Sequence, residues 1–166
     1  MKKLKKGFTL IELLIVITII GIMTAVVSTN LSSARSRARD TRRKADLRSV
    51  EQSLRLYYND NQAYPRSNGS FEISACSSGS CNWGSAFTNA SGTTTYISSL
   101  PRDPSYSSSN TTPTYRYYSA SDDTFILHAT LENLSDPDIA DSQSKCQSLY
   151  ANVDISTTTD YVICVQ

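Results

Sequence analysis

Histidine and tryptophan each occur once in 166 residues, and the chain has two methionines, six glycines and five prolines. It lacks a glycine-rich phosphate loop, a Cys-x-x-Cys pair and a Gly-x-Ser-x-Gly elbow, so an enzyme is not expected. His128 has no neighbours in sequence that would make it a catalytic or metal-binding residue. No proline precedes Pro65, and Gly21 is the only glycine between Phe8 and Tyr58, so nothing interrupts a helix over that stretch. A second long apolar run is also missing, which excludes a polytopic membrane protein.

One apolar run stands out instead. Residues 8–27 hold 15 apolar residues in 20, against 38 in 108 for residues 59–166. Charge is divided as sharply. Residues 1–7 carry four lysines and no acid; residues 28–55 carry eight basic and three acidic residues; residues 56–166 carry four basic and eleven acidic. The formal net charge of +1 is therefore a cancellation between a basic N-terminal third and an acidic remainder. This partition argues against a simple water-soluble domain.

Lysines ahead of an apolar run suggest a secretory signal, but 20 residues exceed the usual h-region and no Ala-x-Ala site follows. At ~1.5 Å per residue the run is expected to be a transmembrane helix. Glu12 is anomalous there, because a carboxylate in a membrane span is costly unless it snorkels, takes a proton or meets a cation.

The stretch Lys5-Lys6-Gly7-Phe8-Thr9-Leu10-Ile11-Glu12-Leu13-Leu14 closely resembles the class III leader junction of type IV pilins and type II secretion pseudopilins. The resemblance implies that a prepilin peptidase cuts between Gly7 and Phe8 and methylates the new Phe8 amine. It makes residues 1–7 a removed leader and Glu12 the acid that pairs with the Phe8 amine of a neighbouring subunit. The family often has proline where this chain has Thr29, so no kink is implied there.

Residues 28–58 are expected to continue the helix amphipathically, with Leu47, Val50, Leu54 and Tyr57 spaced for one buried stripe. The arginines between Arg35 and Arg48 read by default as a solvated face, with anionic headgroups or a neighbour's acidic head as other partners. Specific nucleic acid binding is not expected. Asn59 to Pro65 should end the helix, and its Tyr-Pro resembles the corresponding pilin segment.

Residues 59–166 should form the head. Residues 66–112 read as loop, rich in Ser and Thr. Leu100-Pro101-Arg102-Asp103-Pro104 resembles the Leu-Pro-x-Asp-Pro motif of the major pseudopilin, although Ser105-Tyr106 replaces the usual Trp-Gly. From about residue 113 a hairpin is expected, Tyr115–Ser119 against Thr124–Leu131, with a third strand near Asp160 to Val165. Phe125, Leu127, Ala129 and Leu131 should face the helix, and His128 the other side. Asp122, Asp123, Asp136, Asp138 and Asp141 suggest calcium, and the family resemblance implies a calcium loop near the C-terminus. Asp122 and Asp123 are the calcium candidates, but the spacing fits no EF-hand, and solvated turn acids are preferred with no metal or cofactor assigned.

Four cysteines allow three connectivities, with free thiols as the alternative. The expectation is Cys76–Cys81 with Cys146–Cys164, the latter closing a C-terminal loop as in many type IV pilins. The fold class expected is α+β: a pilin-like lollipop, with a long N-terminal helix, transmembrane in its first half, on a small antiparallel sheet. The function expected is a subunit of a type IV pilus, a self-assembling homopolymer or mixed filament. The alternatives are a major-pseudopilin-like subunit of a type II secretion pseudopilus and a single-pass membrane-anchored binding module that does not polymerise. Implied partners are further copies of the chain, the prepilin peptidase, an inner-membrane platform protein, an assembly ATPase and the membrane. The chain would sit in the inner membrane with its head outside the cytoplasm, and assemble into a cell-surface or periplasmic filament.

Overall fold

A computed structural model of the chain describes residues 7–107, 115–119, 121–153, 155–156 and 158–165. Residues 1–6 of the expected leader, 108–112 of the loop-rich segment and 113–114 at the expected start of the sheet lie outside the described residues. The chain divides into two compact units, 1–36 and 37–166, and helix α1, Leu10–Asn61, contributes to both.

In the first unit α1 starts at a capping box. Glu12 Oε2 accepts hydrogen bonds from the Thr9 backbone N–H and the Thr9 hydroxyl, both at 2.8 Å, and the Glu12 N–H donates to Thr9 Oγ1 at 3.3 Å. Thr-x-x-Glu satisfies otherwise orphaned helix N–H groups in this reciprocal way. Further along, the Thr18 and Thr24 hydroxyls return to the Leu14 and Ile20 carbonyls, so neither leaves a bare polar group on the apolar surface. The large apolar side chains from Phe8 to Met23 are exposed.

The transmembrane first half expected for residues 8–27 is corrected. Among the described residues no helix is long and apolar enough to cross a membrane. Glu12 lies in the first turn of α1 and interrupts its apolar surface. The expected single-pass placement in the inner membrane is corrected on the same finding.

In the second unit the part of α1 from Arg37 packs on a three-stranded antiparallel sheet. Its strands are β5 (Tyr115–Tyr118), β6 (Phe125–Thr130) and β7 (Asp160–Val165), in the order β5-β6-β7. Tyr117 pairs with Leu127, and Leu127 with Ile163, which puts β6 in the centre. Leu47, Val50 and Leu54 are fully buried against Phe125, Leu127 and Ala129, as period 3.6 on a helix meets period 2 on a strand. Between α1 and the sheet, two short hairpins, β1 (Arg66–Ser67) with β2 (Ile73–Ser74) and β3 (Phe87–Thr88) with β4 (Thr95–Ile97), bring Ile73 and Phe87 into the same core.

The opposite face of the sheet is covered as well. Helix α2, Asp138–Cys146, and a 3₁₀ turn, Gln147–Asn152, follow β6 and lie over Ile126 and Val162. Two disulfides complete the unit. Cys76 and Cys81 close a turn bridged to β2, and Cys146 at the end of α2 joins Cys164 on β7, with Cα atoms 5.8 Å apart. These positions imply unequal effects. Replacing Cys146 and Cys164 by serine is expected to cost about 3 kcal/mol, and replacing Cys76 and Cys81 about 2 kcal/mol, because the longer loop restricts the unfolded chain more. Urea unfolding of the two double variants measures the difference.

Candidate assembly and processing sites

The residues implicated in processing lie together at the start of α1. Among the described residues, a Cβ built on Gly7 would meet nothing within 4 Å. Phe8 is 89% exposed, and Thr9 and Glu12 form the helix cap described above. A cut between Gly7 and Phe8 would leave that cap intact, since both of its residues lie downstream.

A second constellation forms where α1 meets the head. Arg43 points inward from α1 with its side chain 2% exposed. Its Nε and Nη2 make a forked contact with the two carboxylate oxygens of Asp103, at 2.6 and 3.0 Å. Its Nη1 reaches Asp40 Oδ1 one turn back at 2.7 Å and Glu132 Oε1 at 2.8 Å. Asp40 in turn accepts the backbone N–H groups of Glu132 and Asn133, at 3.0 and 2.8 Å, just after β6. Arg39 pairs with Glu132 from outside, and Ser105 hydrogen-bonds Asp103 through both its N–H and its hydroxyl.

This constellation corrects the solvated-face reading for Arg39 and Arg43. Burial works against the charge on Arg43, but the hydrogen bonds it donates to Asp103 and Asp40 outweigh it and raise its pKa further. The Arg39 guanidinium is the largest influence on Glu132, whose pKa is held below the usual range. The signals in the sequence were Asp40 at i−3 from Arg43 and the acid inside Leu-Pro-Arg-Asp-Pro. That segment is pinned by Leu100, buried and exchanging backbone hydrogen bonds with Gly84 and Ser85. Gly84 has φ +90°, and a Cβ there would fall on the Arg102 guanidinium.

Lys44, the next residue on α1, donates to both oxygens of Asp136 and to Asp138 Oδ2, each at 2.7 Å. Asp141 is held by Lys145 at 2.7 Å, Asp122 by Arg66 at 2.8 Å, and Asp123 accepts from the Tyr58 hydroxyl at 3.1 Å. Of the acids suggested for calcium, Asp136 and Asp138 converge on the Lys44 ammonium, while Asp122, Asp123 and Asp141 are each engaged by another residue. Among the described residues no group of three or more His, Cys, Asp or Glu could hold a metal ion.

His128 is buried rather than exposed, because α2 and the turns around it cover that face of β6. Its Nδ1 lies 3.4 Å from Asp160 Oδ2 without a formed hydrogen bond. Burial alone would raise the Asp160 pKa. The His128 ring, the Ser156 N–H at 2.9 Å and the Thr130 hydroxyl at 2.9 Å instead hold it down at about 2. The pair organises a turn and offers no open substrate position.

The Tyr-Pro segment has its own lock. The Tyr64 N–H donates to the Asp122 carbonyl at 2.6 Å, and the Tyr117 hydroxyl donates to the Pro65 carbonyl at 2.5 Å. Both bonds tie the end of α1 to the hairpin.

Residues 2–28 match the model of the prokaryotic N-terminal methylation motif. The chain is similar to the type IV wide pilus major component PilA4 of Thermus thermophilus, 52% identical over 59 residues that cover 36% of this chain and 45% of the relative. It is also similar to type II secretion system core protein G of Pseudomonas aeruginosa, 38% identical over 64 residues, 39% of this chain and 45% of that one. The core protein G of Escherichia coli is 35% identical over 68 residues, 41% and 47% of the two chains. The chain thus spans less than half the length of these curated relatives. No solved structure matches it.

Two outcomes follow from the buried charges. Arg43→Met, which strands Asp40 and Asp103, is expected to lower unfolding stability by roughly 3–5 kcal/mol, whereas Arg37→Met on the exposed surface changes it by well under 1 kcal/mol. Urea titration at neutral pH reads both. For Asp160, a depressed folded pKa means stability present above its unfolded value and lost as pH falls towards about 2. Between pH ~5 and ~2 the unmodified chain should therefore lose about 2 kcal/mol that Asp160→Asn does not lose, measured as the slope of stability against pH.

Proposed function

We propose that this chain, which by its N-terminal segment belongs to the type IV pilin and type II secretion pseudopilin family, is a structural subunit that polymerises into a pseudopilus. Its place is that of the major pseudopilin, core protein G, of a type II secretion system. The recurrent similarity to core protein G from several organisms carries this reading. Leu100–Pro104 supports it, since the acid of the Leu-Pro-x-Asp-Pro segment is the group that grips Arg43.

In this reading a prepilin peptidase cuts between Gly7 and Phe8 and methylates the Phe8 amine. Glu12 then neutralises the Phe8 ammonium of the neighbouring subunit, and the exposed apolar side chains from Phe8 to Met23 bury one another in the filament. A platform protein and an assembly ATPase supply insertion and work. The heads, held by the Arg43 constellation and two disulfides, form the outer layer.

A type IV pilus subunit is the second reading. The Thermus thermophilus pilus component is 52% identical over the matched segment, and Cys146–Cys164 closes the C-terminal region. Deleting the gene separates the two. Loss of exoprotein release with surface filaments retained supports the pseudopilus; loss of shearable surface filaments with release unchanged supports the pilus and overturns the first reading. In either case Glu12→Gln is expected to be processed normally yet to enter filaments at least tenfold less, as read by immunoblot of the filament fraction against total processed protein.

A further inference from the structure

We infer that the Lys44 ammonium is the resident cation of the loop between β6 and α2, doing with a tethered charge what a bound divalent ion would do between the same carboxylates. The family resemblance implies a calcium loop in this region, and the residues present do not fit one.

The geometry of the loop leads to this conclusion. Residues 131–138 turn sharply, with the Asp136 N–H donating to the Asn133 carbonyl at 3.1 Å and the Ile139 N–H to the Asp136 carbonyl at 3.2 Å. The turn aims the carboxylates of Asp136 and Asp138 at α1. Asp136 Oδ1 is fixed further by the Asp138 N–H at 3.0 Å. Lys44 meets them with Nζ, contacting three carboxylate oxygens at 2.7 Å each. An ammonium has three N–H donors, so three acceptors match its full capacity. The Tyr161 ring on β7 lies 5.6 Å from the same nitrogen, a cation–π distance. One charge therefore ties α1, the loop, the start of α2 and β7.

A calcium ion would need six to eight oxygens at ~2.3–2.6 Å. Here the two convergent carboxylates already face an ammonium, and the next acid along α2, Asp141, is engaged by Lys145. A dication placed beside Nζ would meet like charge at contact distance. The side chains of Lys44 and Asp136 are each 14% exposed, so the pair is far less screened than the surface pairs of this chain. The consequence is a head whose β6–α2 connection is closed in the absence of divalent metal. This inference concerns folding and ion binding, and stands apart from the choice between pseudopilus and pilus.

The test uses the full chain. Thermal unfolding, followed by far-ultraviolet circular dichroism, is recorded in excess EDTA and in millimolar calcium chloride. The expected result is one midpoint, unchanged within about a degree, with Lys44→Met lower by roughly 5–10 °C in both buffers. A midpoint that rises with calcium or falls with EDTA in the unmodified chain overturns the inference, as does a Lys44→Met chain as stable as the original. Should Lys44→Met not fold, calcium titration of the unmodified chain followed by the ¹³Cγ resonances of Asp136 and Asp138 decides: unmoved signals support the ammonium as resident cation, and saturable shifts overturn it.

Discussion

The second unit depends on one buried guanidinium. Arg43 is carried inward by the same helix that presents Leu47, Val50 and Leu54 to the sheet, so apolar and ionic contacts set one position for α1. An unpaired cation there would be prohibitive. Asp103, Asp40 and Glu132 all converge on it in the folded head. Each partner comes from a different part of the chain. The Arg43 contacts thus hold both the Leu-Pro-Arg-Asp-Pro segment and the chain just after β6 against α1.

Lys44 extends the arrangement by one residue around the helix. Arg43 takes the acids of residues 103 and 132, and Lys44 those of 136 and 138. Arg39, Arg43 and Lys44 of α1 thus meet the acids of residues 103, 132, 136 and 138, an internal pairing that the net charge conceals. On the other side of the sheet the same economy recurs in weaker form, with Asp160 collecting His128, Thr130 and Ser156 and the Cys146–Cys164 bridge securing α2 to β7.

The long helix was legible in the sequence because nothing between Phe8 and Tyr58 opposes it, and α1 runs from Leu10 to Asn61. The central sheet was legible because Phe125 to Thr130 alternates. The second helix was not: Asp138–Cys146 is largely polar and buries only Ile139, Ser142 and Cys146, a stripe too narrow for periodicity to reveal. That helix is what covers the face of β6 that carries Ile126 and His128. The arginines misled for a related reason. A charged residue on a helix is usually solvated, and only the tertiary meeting with Asp103 and Glu132 distinguishes Arg43 and Arg39 from Arg37. The Thr9–Glu12 cap is legible in the sequence as the capping-box spacing Thr-x-x-Glu.

The two ends of α1 divide the labour. Its start offers an open glycine, an exposed phenylalanine and a capped acid, all suited to processing and to contact with other copies. Its second part is committed to the head. Everything proposed for assembly requires that the start be cut. Intact mass spectrometry of the chain expressed in a cell with a prepilin peptidase addresses this directly. The expected result is loss of residues 1–7 and one added methyl group on Phe8; a chain that keeps its first seven residues under those conditions contradicts it.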